Sequence, residues 1–497
     1  MKKKFLSNLI LLLFLNLLVK PFWILGIDRS VQNLVGAEDY GFYFVLFNFS
    51  FLFNILLDFG ITNYNNRNIA QNNQLLNKHF SGIVIIKILL AVIYTVVTFS
   101  VGIAIGFSTR QLGLLGFLCF NQFLLSFILY LRSNVSGLLM FRTDSILSVL
   151  DRVLMIIFCG VLIWGHITES SFRIEWFVYA QTLAYLITAL VALIIVMKKA
   201  RFIRLNWNWP FIVMIIRRSF PFAMLVLLMT FYNRIDSVMI ERLLPPESGS
   251  YEVGIYASAY RLLDAANMIA YLFSVLLLPL FSKMIKNHDE VVHVVKLAIT
   301  LLFILSVTVA IGSYYYSVEL MQLMYHEHVT ESAAVFRLLM FGYIAISSTY
   351  VFGTLLTANG SLKVLNIVAA GGMILNFVVN LILVPRLYAV GSAYASLIAQ
   401  YSTALIQIII ACKIFRFRPN YKFLLTLASF VAGVVLINHF SRQIFDNWLH
   451  NFILMFGASI VLATLLKLLN LKGFIAILKS KEDLEDQTMD EVTADNN

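Results

Sequence analysis

Charged side chains interrupt the long apolar stretches of this 497-residue chain. Seven of them are basic and four are carboxylates: Lys20, Lys87, Arg152, Arg234, Arg261, Lys296 and Arg337, with Asp58, Asp151, Asp236 and Asp264. A charge at the centre of a membrane helix costs about 2.5–3.5 kcal/mol on insertion scales, so such residues usually face the protein interior or a wet cavity. A basic surplus there favours an anionic ligand, and arginine binds phosphate oxygens in a bidentate manner.

Depth within the membrane separates these basic residues. At about 1.5 Å per residue, Arg234 and Arg261 lie on consecutive helices, each roughly 10 Å below the predicted outer surface, which favours a shared polar cavity. Lys20 lies at a comparable depth, and a long side chain there can instead snorkel to the headgroups. The same two interpretations apply to the basic residues that lie nearer the inner surface or the rims, namely Lys87, Arg152, Lys296 and Arg337.

The acidic residues suggest how those charges are balanced. Arg261 and Asp264 are three residues apart on one helix and can pair. Arg234 and Asp236 are two apart and point to different sides, so each needs a partner elsewhere.

The composition shows which elements must position these residues. Sixty per cent of the residues are apolar, 13% are charged, and the mean hydropathy is +0.85. Soluble domains carry about 45–50% apolar and about 25% charged residues, so a soluble enzyme is excluded. Because the bilayer core cannot hydrogen-bond free backbone groups, the apolar runs must be helices. About fourteen are predicted: 6–27, 39–59, 80–106, 112–131, 146–165, 175–197, 212–240, 254–282, 291–313, 333–357, 364–384, 391–412, 422–440 and 450–470.

The distribution of loop charges predicts the orientation. With the N-terminus placed in the cytoplasm, 24 of the 37 Lys and Arg residues fall on the inside and six on the outside. This bias follows the positive-inside rule and predicts that both termini are cytoplasmic. We therefore attribute most of the net charge of +11 to membrane orientation and to attraction between the loops and anionic lipid headgroups, rather than to nucleic-acid binding. The first run is not expected to be a cleaved signal peptide, and the polar tail at 479–497 is expected to be disordered.

Several function classes lack their expected motifs. No GxxxxGK[ST], HExxH or Gly-x-Ser-x-Gly sequence is present. His326 and His328 flank Glu327 in a predicted outer loop, where incidental solvated histidines are expected. The three cysteines lie in predicted helices, as packing residues do, so no metal site is expected. The function class that remains is a transporter. We expect it to have no enzymatic activity and no resident cofactor.

A weak internal repeat suggests a two-lobed transporter. Asp28-Arg29-Ser30-Val31 precedes Gly41-Phe42-Tyr43, and Asp236-Ser237-Val238 precedes Gly254-Ile255-Tyr256. The predicted organisation is an N-lobe at 1–197, a basic cytoplasmic linker at 198–211, a C-lobe at 212–412, and two further helices at 413–478.

Three stretches resemble the bacterial oligosaccharide and polysaccharide flippases of the Wzx type, within the multidrug/oligosaccharidyl-lipid/polysaccharide exporter superfamily. The first, at 233–284, carries an Arg-x-Asp motif and then Val-Gly-x-Tyr-x-x-Ala-Tyr-Arg. The second, at 353–400, carries Ala-Asn-Gly, an Asn-x-x-x-Asn pair at Asn376 and Asn380, Val-Pro and Gly-Ser-Ala. The third is LLDFGITNYNNRNIAQ at 56–71.

This resemblance implies a two-lobed bundle in the bacterial inner membrane that works by alternating access. The implied substrate is an undecaprenyl-diphosphate-linked oligosaccharide, and a polysaccharide polymerase and chain-length machinery are implied partners. Arg234 and Arg261, with Lys20, Lys87 and Arg152, would neutralise the pyrophosphate in a cationic cavity. Sugar contacts are expected from Tyr232, Asn233, Tyr256 and Tyr260, and coupling to a proton or sodium gradient from Asp236, Asp264 or Asp58.

Two other functions stay open at this stage. A cation-coupled exporter of small amphipathic compounds would share the fold, although for cationic cargo it would favour acidic cavity residues. A membrane glycosyltransferase or polymerase would need a sizeable outer loop, and no predicted outer loop exceeds roughly twenty residues.

Overall fold

The computed structural model describes residues 15, 18–19, 21–62, 65, 69, 74–138, 140–165, 172–199, 209–417 and 420–469. These form α-helices joined by short turns, without a strand in those ranges. A π-helical turn at Trp23–Asp28 leads into the first α-helix, and a 3₁₀ turn at Asn54–Leu57 follows it. The α-helices are α1 (Arg29–Leu52), α2 (Leu75–Ala104), α3 (Thr109–Gly137), α4 (Phe141–Trp164), α5 (Ile174–Met197), α6 (Trp209–Leu243), α7 (Pro246–Lys286), α8 (Val292–Tyr315), α9 (Ser317–Met324), α10 (Val329–Ala358), α11 (Leu362–Ile414), α12 (Tyr421–Ser441) and α13 (Trp448–Leu465).

Ten helices of the described residues are long and apolar enough to cross a membrane: α2, α3, α4, α5, α6, α8, α10, α11, α12 and α13. The chain is therefore an all-helical, multi-pass membrane protein, as the composition predicts. The count of fourteen crossings and the cytoplasmic placement of both termini stay predictions.

Helix α11 is 53 residues long, and its geometry shows two antiparallel helices rather than one rod. Pro385 lies inside it and Tyr388 has the non-helical angles φ 54° and ψ −136°. A Cβ atom on Gly391 would lie 2.5 Å from the carbonyl oxygen of Leu383, although eight residues of straight helix span about 12 Å. The chain therefore reverses direction near Tyr388, which agrees with the predicted separate spans 364–384 and 391–412.

The same reversal is visible farther from the turn. A Cβ atom on Gly372 would lie 2.4 Å from Cγ2 of Thr403, so these two positions face each other across the hairpin. The turn exposes backbone groups, and the carboxylate of Glu252 accepts a hydrogen bond from the Ala389 amide at 3.1 Å. This carboxylate caps the second arm of the hairpin in the manner of an acidic helix cap.

Helix α1 ends earlier than predicted. The predicted span 39–59 included Asp58, whereas α1 ends at Leu52 and the chain turns through the 3₁₀ segment. Phe59 and Gly60 then have positive φ angles of 44° and 80°, which an α-helix cannot contain. Asp58 therefore lies in a membrane-level break in the helix and not within it.

The described chain forms two compact units. The first comprises Met1–Ser258, Met324–Glu327 and Phe377–Ser392, and the second comprises Ala259–Leu323, His328–Asn376 and Ala393–Asn497. Within the first unit α1 packs on α6 and α3 packs on α5, and within the second unit α8 packs on α10 and α12 on α13. The predicted lobe boundaries stay predictions. Residues 200–208 of the predicted linker at 198–211, and the whole predicted tail at 479–497, lie outside the described residues.

Two glycines of the predicted repeat bring α1 and α7 into backbone contact in the first unit. A Cβ atom on Gly41 would lie 1.7 Å from the carbonyl oxygen of Ser250, and one on Gly254 would lie 2.0 Å from that of Ala37. Each glycine thus meets the residue four positions before the other glycine, so the contact has approximate twofold symmetry. Gln32 reinforces it by donating to the carbonyl oxygen of Gly254 at 3.1 Å.

Candidate functional site

Arg234 lies on α6 in a half-buried position facing α1. Its guanidinium donates to Oδ1 of Asn48 at 3.3 Å and lies 5.6 Å from the centre of the Phe51 ring. Asn48 and Phe51 both belong to α1, so these two contacts hold the guanidinium against that helix.

Asp236 is only two residues farther along α6 and makes different contacts. Its carboxylate is buried, with 1% of the residue exposed. It accepts hydrogen bonds from the Tyr256 hydroxyl of α7 and from Nδ2 of Asn380 of α11, both at 2.9 Å. Since neighbours two apart on a helix face different directions, α6 contacts α1 through Arg234 and contacts α7 and α11 through Asp236.

Lys87 and Asp58 are brought together in the break that follows α1. The Lys87 ammonium is 1% exposed and donates to the Asp58 carboxylate, to the Leu57 carbonyl oxygen at 3.0 Å and to Oγ of Ser126 at 3.0 Å. These three acceptors match the three hydrogens of an ammonium group. Asp58 also accepts from the backbone amide of Thr62 at 3.3 Å, so the pair stabilises the turn.

Arg152 of α4 lies in an aromatic pocket of the first unit. Its guanidinium is 5.7 Å from the Trp23 ring and 5.9 Å from the Tyr185 ring, and its Nε is 3.6 Å from the Asp151 carboxylate. Phe177 stacks on Trp23 at 5.7 Å. Arg152 is therefore held over π faces and is one quarter exposed.

The four residues with predicted sugar contacts differ in exposure. Tyr232, Tyr256 and Tyr260 are buried, and the Tyr256 hydroxyl is engaged by Asp236. Asn233 is half-buried. Sugar recognition by these side chains stays a prediction.

The remaining predicted site residues are not among the described residues of the first unit. Arg261 and Asp264 are half-buried on the part of α7 that belongs to the second unit. Lys20 lies outside the described residues. Within the first unit, the structure therefore brings Lys87 and Asp58 together. Arg234 and Asp236, both on α6, contact different helices.

Asparagines supply contacts that the charge pattern alone did not identify. Asn48 bonds Arg234 and Asn380 bonds Asp236, and both are buried within apolar helices. A buried amide in a membrane helix is itself a usable signal, because polar groups there need partners. Asn380 belongs to the Asn-x-x-x-Asn pair already noted in the sequence.

Comparison with protein families now assigns the chain. The model of the polysaccharide biosynthesis protein family matches residues 5–285, more than half of the sequence. The chain belongs to this family. A search of curated proteins found no significant match.

Solved structures with the same fold include known transporters. The lipid II flippase MurJ in an inward closed conformation superposes with a TM-score of 0.68 at 13% identity, covering 93% of this chain and 98% of that one. An inward-facing multidrug resistance MATE family transporter of the MOP superfamily gives 0.65 at 15%, covering 81% and 94%. A MOP superfamily transporter from Pyrococcus furiosus, described as having a binding pocket of reversed polarity, gives 0.60 at 15%, covering 84% and 96%. The family member thus has the MOP superfamily fold.

Proposed function

We propose that the chain is a flippase that moves an undecaprenyl-diphosphate-linked oligosaccharide across the bacterial inner membrane by alternating access. The observation that carries the proposal is the half-buried guanidinium of Arg234 on the membrane-spanning helix α6, where it contacts Asn48 and Phe51 of α1. A diphosphate cannot enter a low-dielectric interior unless a cation offsets its charge. Arginine is suited to this task because its planar fork binds phosphate bidentately.

Two further facts support the lipid-linked substrate class. The family is named for polysaccharide biosynthesis, and one relative by fold is a flippase for lipid II. Arg261 of the second unit is the second proposed phosphate ligand. A polymerase and chain-length machinery that consume the flipped product are the proposed partners, and a proton or sodium gradient is the proposed energy source.

Arg152 is a weaker candidate for phosphate, because Trp23 and Tyr185 already cover its guanidinium. Lys87 is a poorer one still, since Asp58, Leu57 and Ser126 use its three hydrogens. The proposal therefore assigns substrate binding to Arg234 and Arg261 and assigns a structural role to Lys87.

The test uses purified protein in proteoliposomes with a fluorescent undecaprenyl-diphosphate-linked oligosaccharide, and follows the label that becomes accessible on the opposite leaflet. Arg234→Ala and Arg261→Ala should each reduce the flipping rate at least 50-fold, about 2.3 kcal/mol or more. Arg234→Lys should recover part of the rate, because an ammonium keeps the charge but loses the bidentate fork.

Arg110 provides the matched control. It is 58% exposed at the start of α3 and pairs with Glu175 at 3.0 Å, so Arg110→Ala should flip substrate at the wild-type rate. Normal flipping by both Arg234→Ala and Arg261→Ala would overturn the assignment of the site. Export of cationic dyes without movement of the lipid-linked substrate would instead favour the small-molecule exporter, and polymer formation would favour the glycosyltransferase or polymerase.

A further inference from the structure

Three exposed lysines belong to one group of helices in the second unit. Lys296 lies in the first turns of α8, Lys422 lies at the start of α12, and Lys467 follows the end of α13. Helix α8 packs on both α12 and α13, and these two pack on each other, so the three helices form one group.

Contacts along this group show how its helices run. The Lys296 ammonium lies 4.9 Å from the centre of the Phe423 ring, and at the other end the hydroxyls of Tyr316 and Ser441 lie 3.2 Å apart, so α8 and α12 are parallel. Helix α13 runs the opposite way, because Phe452 in its first turns packs 5.4 Å from the Tyr316 ring. The end of α13 therefore lies beside the starts of α8 and α12, and the three lysines share one end of the group.

The turn at Lys467 fixes where the chain leaves α13. Lys467 has a positive φ angle of 55°, its amide donates to the Thr464 carbonyl oxygen at 3.0 Å, and the Leu468 amide donates to that of Ala463 at 2.9 Å. These two hydrogen bonds form a Schellman helix end. The turn folds Leu468 into the apolar cluster on which Phe423 packs, so the chain continues from among the three lysines.

Two further cations enlarge this set. Lys413 and Arg416 are exposed where α11 leads into α12. We name the five residues the basic end, which consists of Lys296, Lys413, Arg416, Lys422 and Lys467. One exposed ion pair contributes little to stability, whereas several cations that face one polyanion act together.

Few carboxylates oppose the basic end. Between 413 and 469 the one acidic residue is Asp446, which lies between α12 and α13 and hence at the opposite end of the group. Asp289 and Glu290 precede α8, and the Glu290 carboxylate lies 3.8 Å from the His293 ring nitrogen. These two acids leave the five cations in excess.

The chain itself carries an acidic segment that begins close to the basic end. Residues 482–497 contain seven Asp and Glu and no Lys or Arg, more than a quarter of the 26 acidic residues of the chain. They lie outside the described residues. Thirteen residues lead from Leu469 to Glu482, and a segment of that length reaches about 20 Å both as a coil and as a helix. Because packed helices are about 8–10 Å apart, this reach covers the basic end.

We propose that the acidic segment 482–497 docks on the basic end of the same molecule. The covalent link gives the segment an effective concentration of the order of millimolar, which favours it over an untethered acidic partner. The docked segment covers cations that otherwise attract anionic lipid headgroups, so it limits how closely this end of the second unit binds the membrane surface. Docking requires no transported substrate, and it therefore stands or falls independently of the proposed flippase function.

The test uses the full chain in nanodiscs of phosphatidylcholine and a water-soluble carbodiimide, which joins a carboxylate to a neighbouring lysine. Mass spectrometry should find links from 482–497 to Lys296, Lys422 and Lys467, and these links should fall at least five-fold between 50 mM and 500 mM salt, since ions screen exposed charges. Replacing the three lysines by glutamate should remove the links. Replacing the seven acids of the segment by lysine in that same variant should restore them.

Lys198 is the matched control, because it is exposed at the end of α5 in the first unit and belongs to none of the three helices. It should form at most one fifth as many links to 482–497. Equal linking to Lys198, or links that ignore salt, would overturn the docking surface. Loss of the links in nanodiscs that contain 30% phosphatidylglycerol would assign the basic end to lipid headgroups and would also overturn the proposal. Equal thermal stability of the variants separates a loss of docking from a loss of fold.

Discussion

Two regions of the first unit place charges at membrane depth and treat them differently. In the break after α1, the ammonium of Lys87 and the carboxylate of Asp58 neutralise each other directly. On α6, Arg234 and Asp236 are closer in sequence, yet Arg234 contacts Asn48 of α1, while Asp236 accepts hydrogen bonds from Tyr256 of α7 and Asn380 of α11. The first arrangement fixes one turn, whereas the second connects α6 to three other helices. The contacts of each charged residue thus say more about its role than the number of charges does.

The largest expected effect on stability comes from breaking the locally neutralised pair. Lys87→Met leaves the Asp58 carboxylate without its cation, which should lower the free energy of unfolding by about 3 kcal/mol, since Asp58 is mostly buried. Reversible unfolding in mixed micelles measures the loss.

Adding Asp58→Asn to Lys87→Met should recover part of that stability, because the uncompensated charge is removed. Lys296→Met is the matched control, since that lysine is exposed on α8, 4.9 Å from the Phe423 ring. Equal stability of Lys87→Met and Lys296→Met would contradict a structural role for the pair.

An intermediate loss is expected where a buried carboxylate bonds neutral donors. Asp236→Asn keeps the shape but weakens the hydrogen bonds from Tyr256 and Asn380, each of which contributes about 1.5–3 kcal/mol when its acceptor is charged. The measurement is again unfolding in micelles, with the exposed Asp39→Asn as control. Unchanged stability of Asp236→Asn would contradict a structural role for these two hydrogen bonds.

The smallest expected change in stability is at the residue with the largest expected role in transport. Arg234→Gln should change the free energy of unfolding by no more than about 0.5 kcal/mol, because its partners Asn48 and Phe51 can satisfy a neutral amide. Binding of an undecaprenyl-diphosphate lipid should nonetheless fall at least ten-fold, measured by quenching of the protein's tryptophan fluorescence. If Arg234→Gln loses stability but keeps its affinity for the lipid, Arg234 has a structural role, as Lys87 does, and does not bind substrate.

The helices were largely predictable because apolar runs of membrane length have few alternatives to helix formation. Span 175–197 corresponds to α5 at Ile174–Met197, and the hairpin in α11 was expected as two spans. The end of α1 was not predictable, because its apolar run continues through Leu57 and the turn depends on Lys87, which is distant in sequence.

The candidate site was predictable by residue type more than by partner. Intramembrane charge identified Arg234, Asp236, Lys87 and Asp58 individually, but it did not reveal that the last two form a pair. Pairing is a tertiary property, and side-chain periodicity carries no information about which helix lies opposite.

The crossing of α1 and α7 constrains how this sequence can vary. Gly41 and Gly254 each admit the other helix's backbone, so a methyl group at either position would push both helices apart. A substitution at one of these positions cannot compensate for a substitution at the other, because Gly41 contacts the main chain of Ser250 and Gly254 contacts the main chain of Ala37. In a saturation library of variants, therefore, Gly41 and Gly254 should both be intolerant of alanine, at matching places in the two sequence repeats, while Gly113 and Gly371, which have open space around them, accept alanine freely.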